Sequence, residues 1–158
     1  MTKYIELTRG KRAAVDDADY DWLNQWKWCA HKSVRTYYAV RSIRSGQSVK
    51  SILMHRLIID APYGVDVDHR DHDGLNCTRK NLRLCTNTEN HRNEITRRDN
   101  TSGYKGVSFD KHGKFWVSQI YIHGKKVYLG CFSDKIKAAH AYDAAARRHF
   151  GEFANTNF

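Results

Sequence analysis

Four polar residues at fixed spacing constrain this chain more than any other feature of its sequence. Asp68 and His69 are adjacent, Asn81 follows the histidine after 12 positions, and Asn90 follows Asn81 after 9. Each residue alone carries little information, because a single histidine is usually structural or exposed and asparagine is common in turns and near helix caps. Their joint spacing is what predicts a functional site.

The sequence around these residues predicts a strand, a loop, a second strand and a helix. Val65–His69 alternates apolar and polar residues, and Leu82–Cys85 places two leucines on one strand face. Thr86-Asn-Thr-Glu89 has the form of a capping box, so a short helix is predicted after it. Adjacent strand residues point to opposite faces, so Asp68 and His69 can act together only if the strand ends or twists there.

The net charge predicts a polyanionic partner. The 158 residues include 27 Lys and Arg against 17 Asp and Glu, a formal charge of +10. Residues 27–59 contain seven basic side chains and no acid, whereas residues 60–73 contain five acids. An acidic cluster works against a polyanion unless a divalent cation neutralises carboxylates and bridges them to phosphate.

Composition and the N-terminal sequence exclude several classes of protein. With 41% hydrophobic and 12% aromatic residues, the chain is expected to fold. No run approaches the ~18 apolar residues of a membrane span, and the N-terminus lacks the apolar segment of a signal peptide. We therefore expect a cytoplasmic protein, in the host cytoplasm or nucleoid if phage-encoded, with no membrane partner. The four cysteines form no Cys-x-x-Cys pair, so free thiols are expected and a structural zinc is not.

The polar segment Glu94–Ser102 lacks an apolar period and predicts a linker. We divide the chain there into a module at 1–96, a linker at 97–102 and a module at 103–158. The other predicted elements of the first module are a helix followed by two strands, over 16–28, 34–42 and 48–53.

The second module predicts a three-stranded antiparallel sheet packed on one helix. The strands are expected over 104–110, 115–122 and 126–132, separated by glycine-containing turns. Ser133 can cap a helix that runs to about Phe150. The residues at helical spacing that would face the sheet are Ile136, Ala139, Tyr142, Ala146 and Phe150.

The motif VDHRDHDGLNCTRKNLRLCTNTEN resembles the core of HNH nucleases, particularly the phage and intron-encoded homing-type endonucleases. The resemblance covers about residues 54–94 and implies a ββα-metal core. It implies that Asp68 and Asn90 bind a divalent metal. It also implies that His69 is the general base and that Asn81 clamps the hairpin loop, holding His69 in place.

The chemistry of phosphodiester hydrolysis agrees with these roles. Water must attack in line with the leaving 3′ oxygen, a base must take its proton, and a divalent ion must stabilise the developing charge. The family's third motif position is often histidine, but the spacing here reaches Asn90, with His91 next. Adjacent helix residues differ by about 100° in direction, so only one can face the metal. We choose Asn90, as in H-N-N variants, and its oxygen ligand favours Mg²⁺ or Mn²⁺ over zinc.

Two residues upstream of the motif are further candidates. His55 and Arg56 lie in Met54-His-Arg56, which also looks like this nuclease group. Each is a candidate for contact with the scissile phosphate, and a structural role for His55 is an equal alternative.

The C-terminal sequence resembles the Apetala2-type DNA-binding domain of plant ethylene-response factors, over about residues 102–158. The match rests on Tyr104-Lys-Gly-Val107, Tyr128-Leu-Gly130, Ala141-Tyr-Asp143 and Asn157-Phe158. In that family the sheet lies in the major groove, which admits β-structure. The residues expected to face DNA are Lys105, Ser108, Gln119, Tyr121, Lys126 and Tyr128. The plant domains are rich in Arg at such positions, so fewer bidentate guanine contacts are expected here.

These patterns predict an α+β protein with an N-terminal ββα-metal nuclease module, its core at about 65–94, and the C-terminal sheet-and-helix module. The expected function is a metal-dependent endonuclease that nicks double-stranded DNA as a monomer or weak dimer, in a homing-type role. The alternative is a non-catalytic, sequence-specific DNA-binding protein such as a transcription regulator, and an RNA-binding module is a third hypothesis.

Overall fold

The computed structural model describes residues 1–93 and 100–158 and confirms the α+β class. The chain forms two compact units, Met1–Asn90 and His91–Phe158. Part of the predicted linker, residues 97–99, lies outside the described residues, so the boundary after residue 96 stays a prediction. Within the described ranges, no helix is long and apolar enough to cross a bilayer.

The first unit is built from short strands paired in three antiparallel sheets, with strand orders β1-β2, β3-β4-β5 and β6-β7. Helix α3 begins in this unit and ends just beyond its boundary. The elements in chain order are β1 (Thr2–Glu6), β2 (Arg12–Asp16), α1 (Asp17–Asn24), β3 (Cys29–Lys32), β4 (Tyr37–Ser45), β5 (Ser48–Leu53), α2 (Met54–Ile58), β6 (Asp66–His69), β7 (Leu82–Cys85) and α3 (Asn87–Arg92).

Helix α1 is shorter than the predicted helix over 16–28. It ends at Asn24, because the chain turns so that Trp28 becomes buried and its Nε1 donates to the carbonyl of Leu23 at 2.9 Å. Trp28 also forms an isolated bridge with Leu7. The apolar residues that suggested a longer helix thus include Trp28, which is buried after the helix has ended.

The core of the first unit holds the loop that follows His69. Ile5, Val15, Leu23 and Cys77 are all fully buried in one cluster. The backbone N–H of Cys77 donates to the Ala14 carbonyl at 2.8 Å, so the loop between β6 and β7 is hydrogen-bonded to β2. The N-terminal hairpin thus supports the predicted catalytic segment directly.

The second unit has the predicted architecture, a three-stranded antiparallel sheet in the order β10-β9-β8 with helix α4 packed on it. Asp134, and not the predicted Ser133, is the N-cap of α4, since its Oδ1 accepts from the N–H groups of Ile136 and Lys137. Ile136 was predicted to face the sheet but is 45% exposed. The elements are β8 (Val107–Asp110), β9 (Phe115–Ile122), β10 (Lys125–Phe132) and α4 (Lys135–Phe150).

A buried carboxylate holds the last residues of the chain against α4. Asp143 is fully buried, and its carboxylate accepts from the backbone N–H groups of Asn157 and Phe158, at 2.8 and 2.9 Å. The Asn157 side chain bonds in turn to the backbone of Lys105. These bonds explain the presence of Asp143 and Asn157 in the matching segments of the C-terminal sequence.

Candidate active site and DNA-binding face

The β6–β7 hairpin carries the predicted catalytic residues. In its register Asp68 pairs with Arg83 and His69 pairs with Leu82. Strand β6 ends at His69. The two adjacent side chains therefore meet the condition that their strand stops at this point.

Asn81 closes the loop between the two strands. Its Oδ1 accepts from the Asp71 N–H at 3.1 Å, and its Nδ2 donates to Asp71 Oδ1 and to the Asn76 carbonyl, both at 2.8 Å. Its own carbonyl accepts from the N–H of Arg70, the residue after His69. These bonds are those that a loop clamp requires.

Two of the five acids in the segment at 60–73, Asp71 and Asp73, form hydrogen bonds within the same loop. The Asp71 carboxylate also accepts from the Asn76 amide at 2.6 Å and from the Asp73 N–H at 2.9 Å. Burial raises the pKa of Asp71, but the hydrogen bonds from Asn76, Asp73 and Asn81 outweigh it, so the net shift is downward. The carboxylate of Asp73 accepts from the Leu75 N–H. Sequence alone could not separate these loop-forming acids from Asp68.

Asp68 is the buried acid of the segment and lies against a buried arginine. Asp68 is 5% exposed and Arg83 is 8% exposed. Nε and Nη2 of Arg83 contact Oδ2 of Asp68 at 2.8 and 2.6 Å. The guanidinium therefore compensates the carboxylate charge and orients it.

His69 is packed in a cluster of three rings with Tyr38 and His55. The ring centroids of His55 and His69 are 4.8 Å apart, and those of Tyr38 lie 5.3 Å from His55 and 5.8 Å from His69. Burial lowers the pKa of His69, with Asp71, Asp68 and Asp73 acting in the opposite direction. Burial, then His69 and Arg56, lowers the pKa of His55 to about 3, so this imidazole is neutral near pH 7.

Asn90 lies on α3, which starts with the predicted capping box. The Thr86 N–H donates to Glu89 Oε2 at 2.8 Å, and the Glu89 N–H donates to Thr86 Oγ1 at 3.3 Å. Asn90 is half-buried, whereas His91 is exposed. This difference in exposure favours Asn90 over His91 as the third motif residue.

The donor set fits a hard divalent cation held by few protein ligands. Within residues 1–93 and 100–158, no three His, Cys, Asp or Glu side chains form a group that could hold a metal ion. The predicted ligands are the Asp68 carboxylate and the Asn90 amide oxygen, and this assignment stays a prediction. Both are oxygen donors of the kind that Mg²⁺ and Mn²⁺ accept, and two ligands leave positions for phosphate oxygens and water.

Arg56 is hydrogen-bonded to the backbone of the loop before β6. Its Nη1 donates to the Val65 carbonyl at 2.6 Å, and its Nη2 donates to the carbonyls of Pro62 and Ala61 at 2.8 and 3.4 Å. The guanidinium thus fixes the loop that enters β6, and contact of Arg56 with the scissile phosphate stays a prediction.

Most of the basic stretch at 27–59 is on the surface. The two exceptions are Arg41 and Arg56, which are half-buried. The Arg41 guanidinium stacks on the Trp26 ring, 3.8 Å from its centroid. The exposed basic side chains of the stretch are Lys27, Lys32, Arg35, Arg44 and Lys50.

The C-terminal sheet brings together five of the six predicted DNA-facing residues. Ser108 pairs with Val117 in the register, and the other two cross-strand pairs join Gln119 to Tyr128 and Tyr121 to Lys126. Paired residues share a face, and this face is opposite to Ser118 and Ile120, which are buried. We call Ser108, Gln119, Tyr121, Lys126 and Tyr128 the outer sheet face.

Lys105 does not belong to the outer sheet face. It precedes β8, and its Nζ donates to the Arg92 carbonyl at 2.7 Å. Its backbone bonds to the Asn157 side chain. Its ammonium is therefore engaged within the second unit.

Comparisons with known proteins identify relatives of two parts of the chain. Residues 53–92 match the model of the HNH endonuclease family. The β6–β7–α3 segment lies within these residues, and its match to the family suggests a DNA endonuclease. The resemblance of this segment to HNH nucleases, predicted from the sequence, is confirmed.

Relatives of the C-terminal region are plant proteins with AP2/ERF domains. An AP2/ERF and B3 domain-containing protein of Oryza sativa subsp. japonica is 48% identical over 58 residues, covering 37% of this chain and 16% of that protein. An AP2/ERF and B3 domain-containing transcription repressor of Arabidopsis thaliana is 45% identical over 58 residues, with the same shares of 37% and 16%. The Apetala2-type resemblance is confirmed, and it points to DNA binding.

A phage protein is also similar to this chain. Protein 3.8 of Escherichia phage T7 is 40% identical over 65 residues, which are 41% of this chain and 54% of that protein. The chain thus spans about half the length of the phage relative and about a sixth of each plant relative.

Proposed function

We propose that this protein is a divalent-metal-dependent endonuclease that hydrolyses one strand of duplex DNA. The observation that carries the proposal is the β6–β7–α3 segment. It holds Asp68, His69, Asn81 and Asn90 in the order of the HNH family, within the residues that match the family model.

The side chains have separate tasks in the proposed reaction. His69 takes a proton from water on one ring nitrogen as the water oxygen bonds to phosphorus and the bond from phosphorus to the 3′ oxygen breaks. Asn81 keeps the loop after His69 closed, and Asp68 and Asn90 would hold Mg²⁺ or Mn²⁺. The bound ion supplies stabilisation of the charge that develops on the phosphate and the leaving oxygen.

DNA would be held by the surfaces around this site and by the second unit. The exposed basic side chains at 27–59 would neutralise phosphates, and the outer sheet face would enter the major groove. One active site per chain supports nicking by a monomer, and a double-strand break would need a second copy or a second encounter. Similarity to a phage protein supports action in the cytoplasm of a phage-infected host, and we include a homing-type role in the proposal.

The test of this proposal is cleavage of supercoiled plasmid by the full chain at increasing Mg²⁺ or Mn²⁺. Nicked circles should accumulate before linear DNA, and EDTA should stop the reaction. Asn90→Ala should raise the metal concentration for half-maximal rate by about 10- to 100-fold, the range seen when groups supporting a metal are removed. Asn87→Ala, on the exposed side of the same helix, is the matched control. Absence of cleavage by the unaltered protein across several metals and substrates would leave the DNA-binding alternative.

If DNA binds to the outer sheet face, removing a charge from that face should reduce the salt dependence of DNA affinity. Lys126→Ala should weaken duplex binding and lower the slope of log affinity against log salt by about 1, because one phosphate contact is lost. Lys137→Ala removes the same charge from the exposed surface of α4 and should leave the slope unchanged. Equal slopes for both variants would place the DNA elsewhere, and a preference for RNA over duplex DNA would favour the third hypothesis.

A further inference from the structure

Tyr38 lies in contact with the proposed catalytic histidine although it belongs to another sheet. It sits on β4, 31 positions before His69, and its neighbour Ala39 points into the core. Tyr38 therefore points to the opposite face of its strand, toward the two imidazoles. All three centroid distances among Tyr38, His55 and His69 are below 6 Å.

The loop after His69 packs on the same tyrosine. A Cβ atom placed on Gly74 would lie 2.6 Å from Cε1 and 2.7 Å from Cδ1 of Tyr38, which is closer than side chains pack. The Gly74 N–H also donates to Thr36 Oγ1 at 2.9 Å. The Tyr38 ring, which is half-buried, thus packs on the two imidazoles and on the loop at Gly74.

His55 is the third ring of this cluster and is uncharged near pH 7. It is 6% exposed, and its Nδ1 has no hydrogen-bond partner among residues 1–93 and 100–158. A neutral, buried imidazole is poorly suited to hold a phosphate. Its edge-to-face contact with His69, with rings inclined by 83°, is a packing contact.

We propose that Tyr38 is a positioning residue, whose ring, together with that of His55, fixes the orientation of the His69 imidazole for proton transfer. The inference rests on the proposed function, because it takes His69 as the base. Orientation matters at such a group, since a displacement of about 1 Å can cost about 100-fold in rate.

The test compares ring-keeping and ring-removing variants in the full chain. Tyr38→Leu should lower kcat by about 10- to 100-fold while KM changes by less than about twofold. Tyr38→Phe keeps the ring and should restore kcat to within about threefold of the unaltered protein. Tyr63→Leu, at a fully exposed position, is the matched control for loss of a tyrosine. If Tyr38→Phe loses as much as Tyr38→Leu, the hydroxyl is the active part and the proposal fails.

Two further measurements keep the test decisive. His55→Phe should retain most of kcat if His55 acts as a packed ring, and its inactivity would overturn that role. If Tyr38→Leu fails to fold, Tyr38→Phe decides, because a kcat far below that of the unaltered protein would overturn the role of the ring. The imidazole NMR signals of His69 should broaden in Tyr38→Leu as the ring samples more than one orientation, and signals that stay sharp would overturn the proposal. This signal needs no cleavage, so it separates failure of the positioning role from failure of the nuclease assignment.

Discussion

His69→Ala is expected to lower the rate of plasmid nicking by about 10²- to 10⁴-fold, which is the usual contribution of a positioned general base. The imidazole is packed on His55 and Tyr38, and neither can replace it as a base near pH 7. The pKa of His55 is lowered to about 3, which makes this imidazole a weak base. The pKa of Tyr38 is raised by burial and by Asp68, so its hydroxyl keeps its proton.

Affinity for duplex DNA should change little in the same variant. The backbone pairing of β6 with β7 does not involve the imidazole, and most of the affinity comes from phosphate contacts elsewhere. A gel shift should therefore give a Kd within about threefold of the unaltered protein. His149→Ala, at an exposed position on α4, is the control and should cleave normally. Retention of more than about a tenth of the rate by His69→Ala would assign proton transfer to another group.

Elements with strong local signals could be predicted from the sequence. Strands β5 and β9 have the predicted bounds, because alternation within each strand and glycine next to it are local features. Strands β2 and β3 were not predicted. Arg12–Asp16 contains two alanines and Cys29–Lys32 has four residues, so their conformation depends on partners distant in sequence.

The part of the candidate site that lies within one segment of sequence could be predicted. The spacing of Asp68, His69, Asn81 and Asn90 is a local pattern, and the capping box locates α3. Tyr38 could not be predicted, because its contact with His69 is made by packing between two sheets. The carbonyls that engage Arg56 are likewise defined only by the folded loop.

Arg83 shows the same limit, since only the β6–β7 register places it opposite Asp68. Its replacement is expected to have the largest effect on stability. Arg83→Leu should reduce the free energy of unfolding of the first unit by about 3–5 kcal/mol, because a buried carboxylate loses its cationic partner. The exposed pair Lys3–Asp17, with side chains 45% and 50% exposed, is the control, and Lys3→Leu should leave the urea midpoint almost unchanged, because exposed ion pairs contribute little to stability.

The double variant separates loss of the ion pair from loss of packing. Asp68→Leu with Arg83→Leu leaves no uncompensated charge, so it should be more stable than Arg83→Leu alone, although it is expected to be inactive. Urea unfolding should be monitored by tryptophan fluorescence in a Trp116→Phe background. This background removes the tryptophan of the second unit, and Trp22, Trp26 and Trp28 all lie in the first. If the double variant is no more stable than Arg83→Leu, the guanidinium contributes packing and not charge compensation. A loss below about 1 kcal/mol in Arg83→Leu would mean that Arg83 does not hold the Asp68 carboxylate in solution.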